Sequence, residues 1–201
     1  MLPGIAVPMK ANTGVGTQVV TWNPSDKDAA VTLSVGDTKA AGGTASWHGV
    51  RATLGRVSGK HYFELDVETA SSANLMGGVA NATANLQYPG QSANGAGVRR
   101  IGKFVSGWTH ANSTAPGGSD ASGDRWMFAC DLDANKLWCG VNGVWTTGDP
   151  AAGTTEWVNS ATDTVYPMIG FFGAVGLVRL VVDAAQFSYS PPSGFSAWNA
   201  A

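Results

Sequence analysis

The chain is poor in the features that mark several functional classes. Only Cys130 and Cys139 are present in 201 residues, and no cysteines or histidines stand at metal-ligand spacing, so no metal or cofactor is expected. Charged residues make up 13%, the formal net charge is -2, and the densest basic cluster is Arg99, Arg100 and Lys103. That is no footprint for nucleic acid. No window approaches the roughly 20 apolar residues of a membrane span. The N-terminus MLPGIAVPMK has no basic segment leading into an apolar run, so neither a signal peptide nor membrane insertion is expected and synthesis is assigned to the cytoplasm. No helical window of useful length is found either.

What remains is 44% hydrophobic residues, 27 glycines and 8 tryptophans, which suits one β domain rich in turns. The organising stretch is Gly123 to Trp145, which reads as a hairpin of Arg125 to Leu132 and Lys136 to Asn142 around Asp133-Ala134-Asn135. With Asp133 facing Lys136, Cys130 lies opposite Cys139 and Phe128 opposite Val141, and one face is wholly apolar. Both cysteines then face the interior as reduced core residues, a bridge between them being conceivable in an oxidising setting. Trp138 falls on the second face with Met127 and Ala129, which predicts a central hairpin.

Residues 1–16 carry Pro3, Pro8 and no periodicity, and read as an extended arm ahead of a domain over 17–201. Leu2, Ile5, Val7 and Met9 are its candidate anchors. Strands are predicted at Thr17 to Trp22 and Ala30 to Val35, separated by the breaker Asn23 to Asp26, with a loop over Gly36 to Thr44. Further strands are predicted at Trp47 to Leu54, Leu75 to Ala80, near Arg99 to Val105, at Val165 to Phe172, Leu177 to Asp183 and Gln186 to Tyr189. The clearest alternation is GKHYFELDVE, with His61, Phe63, Leu65 and Val67 inward and Lys60, Tyr62, Glu64, Asp66 and Glu68 on a wet face. Many short strands between turn signals give an all-β fold, a two-sheet antiparallel sandwich or barrel.

Two constellations bear on function. Glu64, Asp66 and Glu68 share a strand face, and the pattern resembles the catalytic strand of laminarinase-type β-glucanases, which would make Glu64 the nucleophile, Glu68 the acid/base and Asp66 the modulator. Four strand steps nevertheless separate the two glutamates by about 13 Å along the backbone, so an ordinary solvated face is favoured. The second constellation is the loops. If every connection reverses direction, the short turns gather at one end and the long connections Asn81 to Val98, Ala111 to Gly123 and Val144 to Thr164 at the other. The candidates for partner contact are Tyr88, Arg99, Trp108, His110, Trp145 and Trp157. Trp22, Trp47, Trp126 and Trp138 are read as packing, and Trp198 as a loop or strand-end aromatic.

The order of short motifs from Trp22 to Trp198 resembles the SPRY domain family. Its carriers are Trp22-Asn-Pro-Ser-Asp-Lys-Asp, Val50-Arg51-Ala52, Gly59-Lys60-His-Tyr62-Phe-Glu64, Gly78-Val79-Ala80 and Gly123-Asp124. Asp131-Leu132-Asp133, Asn142-Gly143, Tyr166-Pro167 and the closing Pro191-Pro192-x-Gly194-Phe195 complete it. The resemblance implies a concanavalin A-like jelly roll and a protein-binding, non-enzymatic role through loops at one end, with Glu64 part of a structural strand motif. The opening and closing motifs are similar to those of SPRY modules in bacteriophage tail and virion proteins, which implies a tail or fibre adhesin or a surface decoration. Its partners would then be virion or host-surface proteins, with surface glycans as the lectin or β-glucanase alternative.

Overall fold

A computed structural model describes residues 18–70, 73–92, 94–99, 108–110, 121–146, 148–154, 157–159 and 163–201. The expected arm over residues 1–16, with Leu2, Ile5, Val7 and Met9, lies outside them. Among the described residues the chain forms fifteen strands and one 3-10 turn at Ala184–Gln186. The first five strands are β1 (Trp22–Lys27), β2 (Thr32–Ser34), β3 (Lys39–Gly42), β4 (His48–Ala52) and β5 (Lys60–Thr69). They are followed by β6 (Ala73–Asn81), β7 (Gly95–Arg99), β8 (Trp108–His110), β9 (Arg125–Asp131) and β10 (Lys136–Val141). The last are β11 (Val144–Trp145), β12 (Trp157–Asn159), β13 (Val165–Gly173), β14 (Gly176–Val181) and β15 (Ser196–Ala197).

One sheet runs β1-β4-β13-β6-β7, and the other runs β2-β3-β14-β5-β9-β10-β12-β8 with β11 against β10. Every pairing is antiparallel except β15 along β5. This is the expected all-β sandwich. Its interior is filled from both sheets by Trp22, Val50, Leu75, Val79, Ile169 and Phe171 on one side and Phe63, Leu65, Phe128, Cys130, Leu137 and Cys139 on the other. Phe63 and Phe128 oppose each other across β5 and β9 and stack at 4.8 Å with an interplanar angle of 11°. Trp198, expected among the loop aromatics, is fully buried and meets Phe63 edge-on at 5.3 Å. Arg56 donates to the carbonyls of Trp198 and Ala200, fixing the chain end beneath the core.

The hairpin β9-β10 is central, between β5 and β12, as its two apolar faces require. Its register differs from expectation by two residues: Lys136 faces Asp131, Leu137 faces Cys130 and Cys139 faces Phe128. A slip of two keeps every side chain on its face, so the buried set is unchanged. The turn is longer because Asp131 accepts from the Ala134 amide and Asn135 takes φ 54°. Cys130 and Cys139 are both buried and not joined by a disulfide, and they do not stand opposite each other.

Other differences have local causes. β1 occupies the segment read as a breaker, because an edge strand with a register shift between Trp22 and Lys27 tolerates Pro24. β3 lies inside the predicted loop, where Ala40 is buried and pairs with Val178 of β14. Gln186 to Tyr189 is not a strand: Gln186 closes the 3-10 turn, which Asp183 caps by accepting from the Ala185 amide, and the next three residues run on without a strand partner among the described residues. The predicted strand near Arg99 to Val105 is β7, which ends at Arg99; residues 100–107 lie outside the described ones.

The long connections are divided between the two ends. β5 starts beside Asp131 and finishes beside Leu177. The turn after β9 sits at its start, where Asp133 accepts from the Gly59 amide, while Ser122 and Gly123 bond Ala70 and Val67 at its finish. The connection after Asn81 lies at the start of β13, opposite the short turn at Gly173. A uniform gathering of short turns fails, since the turns after β9 and β13 fall at opposite ends of β5.

Phe128→Ala removes a ring that has no solvent exposure. The expected loss in chemical denaturation is about 3–5 kcal/mol; a loss within about 0.5 kcal/mol would mean that the face is not buried.

Candidate functional site

The outer faces of the two sheets decide what this molecule can present. On β5 the face expected to be wet is covered: Tyr62 and Glu64 have no exposure at all. Tyr62, Met127, Ala129 and Trp138 form a second apolar cluster, roofed by Trp145, Phe187, Tyr189 and Phe195. A carboxylate in such a place must be matched by donors. Glu64 accepts from the Tyr62 hydroxyl at 2.8 Å, the Ser188 amide at 3.0 Å and the Tyr189 amide at 2.9 Å, and Arg125 lies 3.4 Å away. Burial first, then the hydrogen bond to Glu64 and its charge, push the Tyr62 phenol far above its ordinary pKa. Asp66 is paired with Arg125 at 3.2 Å.

Glu68 is bound by Lys39 at 2.6 Å and Arg179 at 2.9 Å. Partial burial works against its charge, but the Lys39 hydrogen bond and the Arg179 and Lys39 charges outweigh it and hold the carboxyl below its usual range. A retaining glycosidase needs two carboxyl groups flanking a sugar about 5 Å apart, one of them free to exchange protons. Here Glu64 is sealed inside a wall and Glu68 is neutralised by two cations. The shared strand face anticipated from the sequence exists, yet its acids hold the sandwich together.

The outer face of the other sheet is covered by the connection after β6. Arg51, 4% exposed, forks onto Asp26 at 2.7 and 2.8 Å and donates to the carbonyls of Ala84 at 2.7 Å and Ala82 at 3.3 Å. The Gly49 amide donates to Leu86. Gly49 and Gly170 face each other in the sheet, and a Cβ on Gly170 would stand 2.4 Å from the Gln87 carbonyl oxygen and 2.7 Å from Tyr88 Cβ. Only glycine lets the loop lie this close. There Tyr88 packs on Trp47 at 4.7 Å, and Trp47 on Phe172 at 5.5 Å, all three half-buried.

Beside these rings His48 bridges Asp28 through Nδ1 at 2.8 Å and Thr44 through Nε2 at 2.5 Å. No such set is legible in the sequence, since Thr44, His48 and Asp28 belong to three separate connections and strands. The Thr44 hydroxyl also accepts from the Ser46 amide, and Asp28 accepts from the Ala30 amide, so the chain of bonds closes two turns against each other.

The residues assigned to partner contact do not meet on one surface. Tyr88 lies over the five-stranded sheet, whereas Trp145 packs on Tyr62 outside the other sheet at 6.3 Å. Trp108 and His110 pair through their backbone with Asn159 and Trp157 at the β8 edge, and Arg99 ends β7. Trp47 and Phe172 complete the aromatic group around Tyr88.

With the architecture fixed as a two-sheet antiparallel sandwich, comparison with known proteins narrows the class. No protein-family model and no curated protein matches the chain in sequence. Among solved structures it is similar to the SPRY domain of human HERC1, with 15% identity, a TM-score of 0.57, and 80% of this chain covering 96% of that one. It is also similar to the PSpry domain of TRIM65, with 14% identity and a TM-score of 0.55 over 83% of this chain and 93% of that one. Stonustoxin shares 18% identity at a TM-score of 0.51, over 81% of this chain but only 27% of the toxin's. The fold is of the SPRY type, a concanavalin A-like sandwich.

Glu64→Gln keeps one acceptor oxygen but turns the other position into a donor facing amides. The expected stability loss is about 1–3 kcal/mol, against about 1 kcal/mol for Tyr62→Phe, both read by urea denaturation. Unchanged stability in Glu64→Gln would contradict the anchoring role.

Proposed function

We propose that this chain is a non-enzymatic recognition module that binds protein partners. The observation that carries the reading is that the acids of β5 are consumed by structural bonds, while half-buried Tyr88, on a loop fixed to a rigid sheet, packs with Trp47 and Phe172 of that sheet's margin. Loops held on rigid scaffolds, with aromatic anchors, suit recognition. The SPRY-type fold supports the same class of role. A finer assignment follows from the likeness of the Trp22-Asn-Pro-Ser-Asp-Lys opening and the Pro191-Pro192-x-Gly194-Phe195 close to virion SPRY modules. On that basis the protein is an accessory component of a bacteriophage particle, a tail or fibre adhesin or a surface decoration, made in the bacterial cytoplasm and located in the virion.

The test is binding of the purified chain to host cell envelopes, with Trp47→Ala and Tyr88→Ala compared at matched folding and a reducing-sugar assay on β-glucans run alongside. Both substitutions are expected to weaken binding at least about tenfold, the size of a 1.4 kcal/mol anchor, with no sugar released. Sugar release that disappears in Glu64→Gln would overturn the reading in favour of a glycosidase.

A further inference from the structure

The first described residues of the chain open onto a cleft of 420 Å³ lined by Val19, Val20, Val35, Leu180, Val182 and Asn199, among others. Val19 is 92% exposed and Val35 65%, both large apolar side chains that this copy leaves to water. Asn199 is 4% exposed, and its Oδ1 has no hydrogen-bond partner. An acceptor buried without a donor costs free energy that a further chain segment could recover. Val35, the residue that follows β2, lines the cleft, and β2 ends its sheet, so among the described strands its outer edge has no neighbour. Such an edge is a template for one more extended strand.

The amide of Gln18 donates to the Asn199 carbonyl at 3.0 Å, which fixes the root of the preceding residues at the cleft itself. Those residues carry Ile5, Val7 and Met9 at alternate positions, the spacing that turns three apolar side chains to one side of a strand. Leu2 to Met9 lies sixteen to nine residues before Gln18, so an extended chain can reach roughly 30 to 55 Å, far enough to meet a neighbouring molecule. Because root and cleft coincide, a two-fold arrangement lets each copy's arm enter the other's cleft, and one contact makes both.

The geometry points to arm exchange: the cleft receives the Ile5 to Met9 segment of a second copy of this chain, whose backbone N–H supplies the donor Asn199 Oδ1 lacks. This does not depend on the recognition role, since it concerns self-assembly alone.

Sedimentation equilibrium tests it with the full chain, a chain lacking residues 1–16, and Val19→Glu and Val35→Glu, which charge the cleft at exposed positions. The full chain is expected to be a dimer and each variant a monomer with an unshifted thermal transition. Mixing the arm-less chain, whose cleft is intact, with Val35→Glu, whose arm is intact, is expected to restore a pair. A monomeric full chain overturns the proposal, as does a dimer that survives both arm removal and Val19→Glu. An arm-less chain that melts earlier at unchanged mass also overturns it, because the arm then docks on its own copy.

Discussion

One carboxylate, that of Glu64, sets the terms for much of this structure. A carboxyl group at zero exposure, beside Tyr62, Met127 and Trp138, is tolerated only if donors surround it. Two of its donors are main-chain amides 124 and 125 residues further on. The charge in β5 therefore specifies the path of the segment after β14, and that path brings Phe187, Tyr189 and Phe195 down as a roof over the second apolar face. Satisfying the acid and covering the aromatics are one event. A sheet that would otherwise expose tyrosine, methionine and tryptophan to water becomes a buried layer.

Arg51 does the corresponding work on the opposite sheet. Its guanidinium is bound bidentately by Asp26 of β1 and reaches two carbonyls of the connection after β6, which the facing glycines 49 and 170 allow to lie flat. Each sheet is thus sealed outside by a loop that one buried charge positions. With both faces closed, the half-buried rings of Trp47, Tyr88 and Phe172 remain grouped beside the loop after β6. The acids that look reactive in the sequence serve this sealing, held in ion pairs with Arg125, Lys39 and Arg179.

Much of the fold was legible because period-two alternation is strict. It assigned Phe63, Leu65, Phe128, Cys130, Leu137 and Cys139 to the interior and Trp138 to the second face, and a two-residue error in register could not move any of them. What the alternation could not show is a cover contributed from far along the chain. Glu64 reads as wet because its partners, Ser188 and Tyr189, lie far along the chain in a stretch read as a strand of its own. β1 was hidden by Pro24, whose cost vanishes on an edge. The gathering of loops at one end failed because the short turns after β9 and β13 lie at opposite ends of β5, which no strand period reports. Tyr88 was legible as a ring on a long loop, but its companions Trp47 and Phe172 sit at strand positions that sequence assigns to packing.

The claim that a buried charge fixes the roof is tested most directly by native-state amide hydrogen exchange at Ser188 and Tyr189. Both amides lie in a segment with no strand neighbours, so only the Glu64 carboxylate can protect them. The account predicts that they exchange as slowly as the interior amides of β5, through global unfolding alone. Exchange at the rate of an open loop, while β5 stays protected, would contradict it.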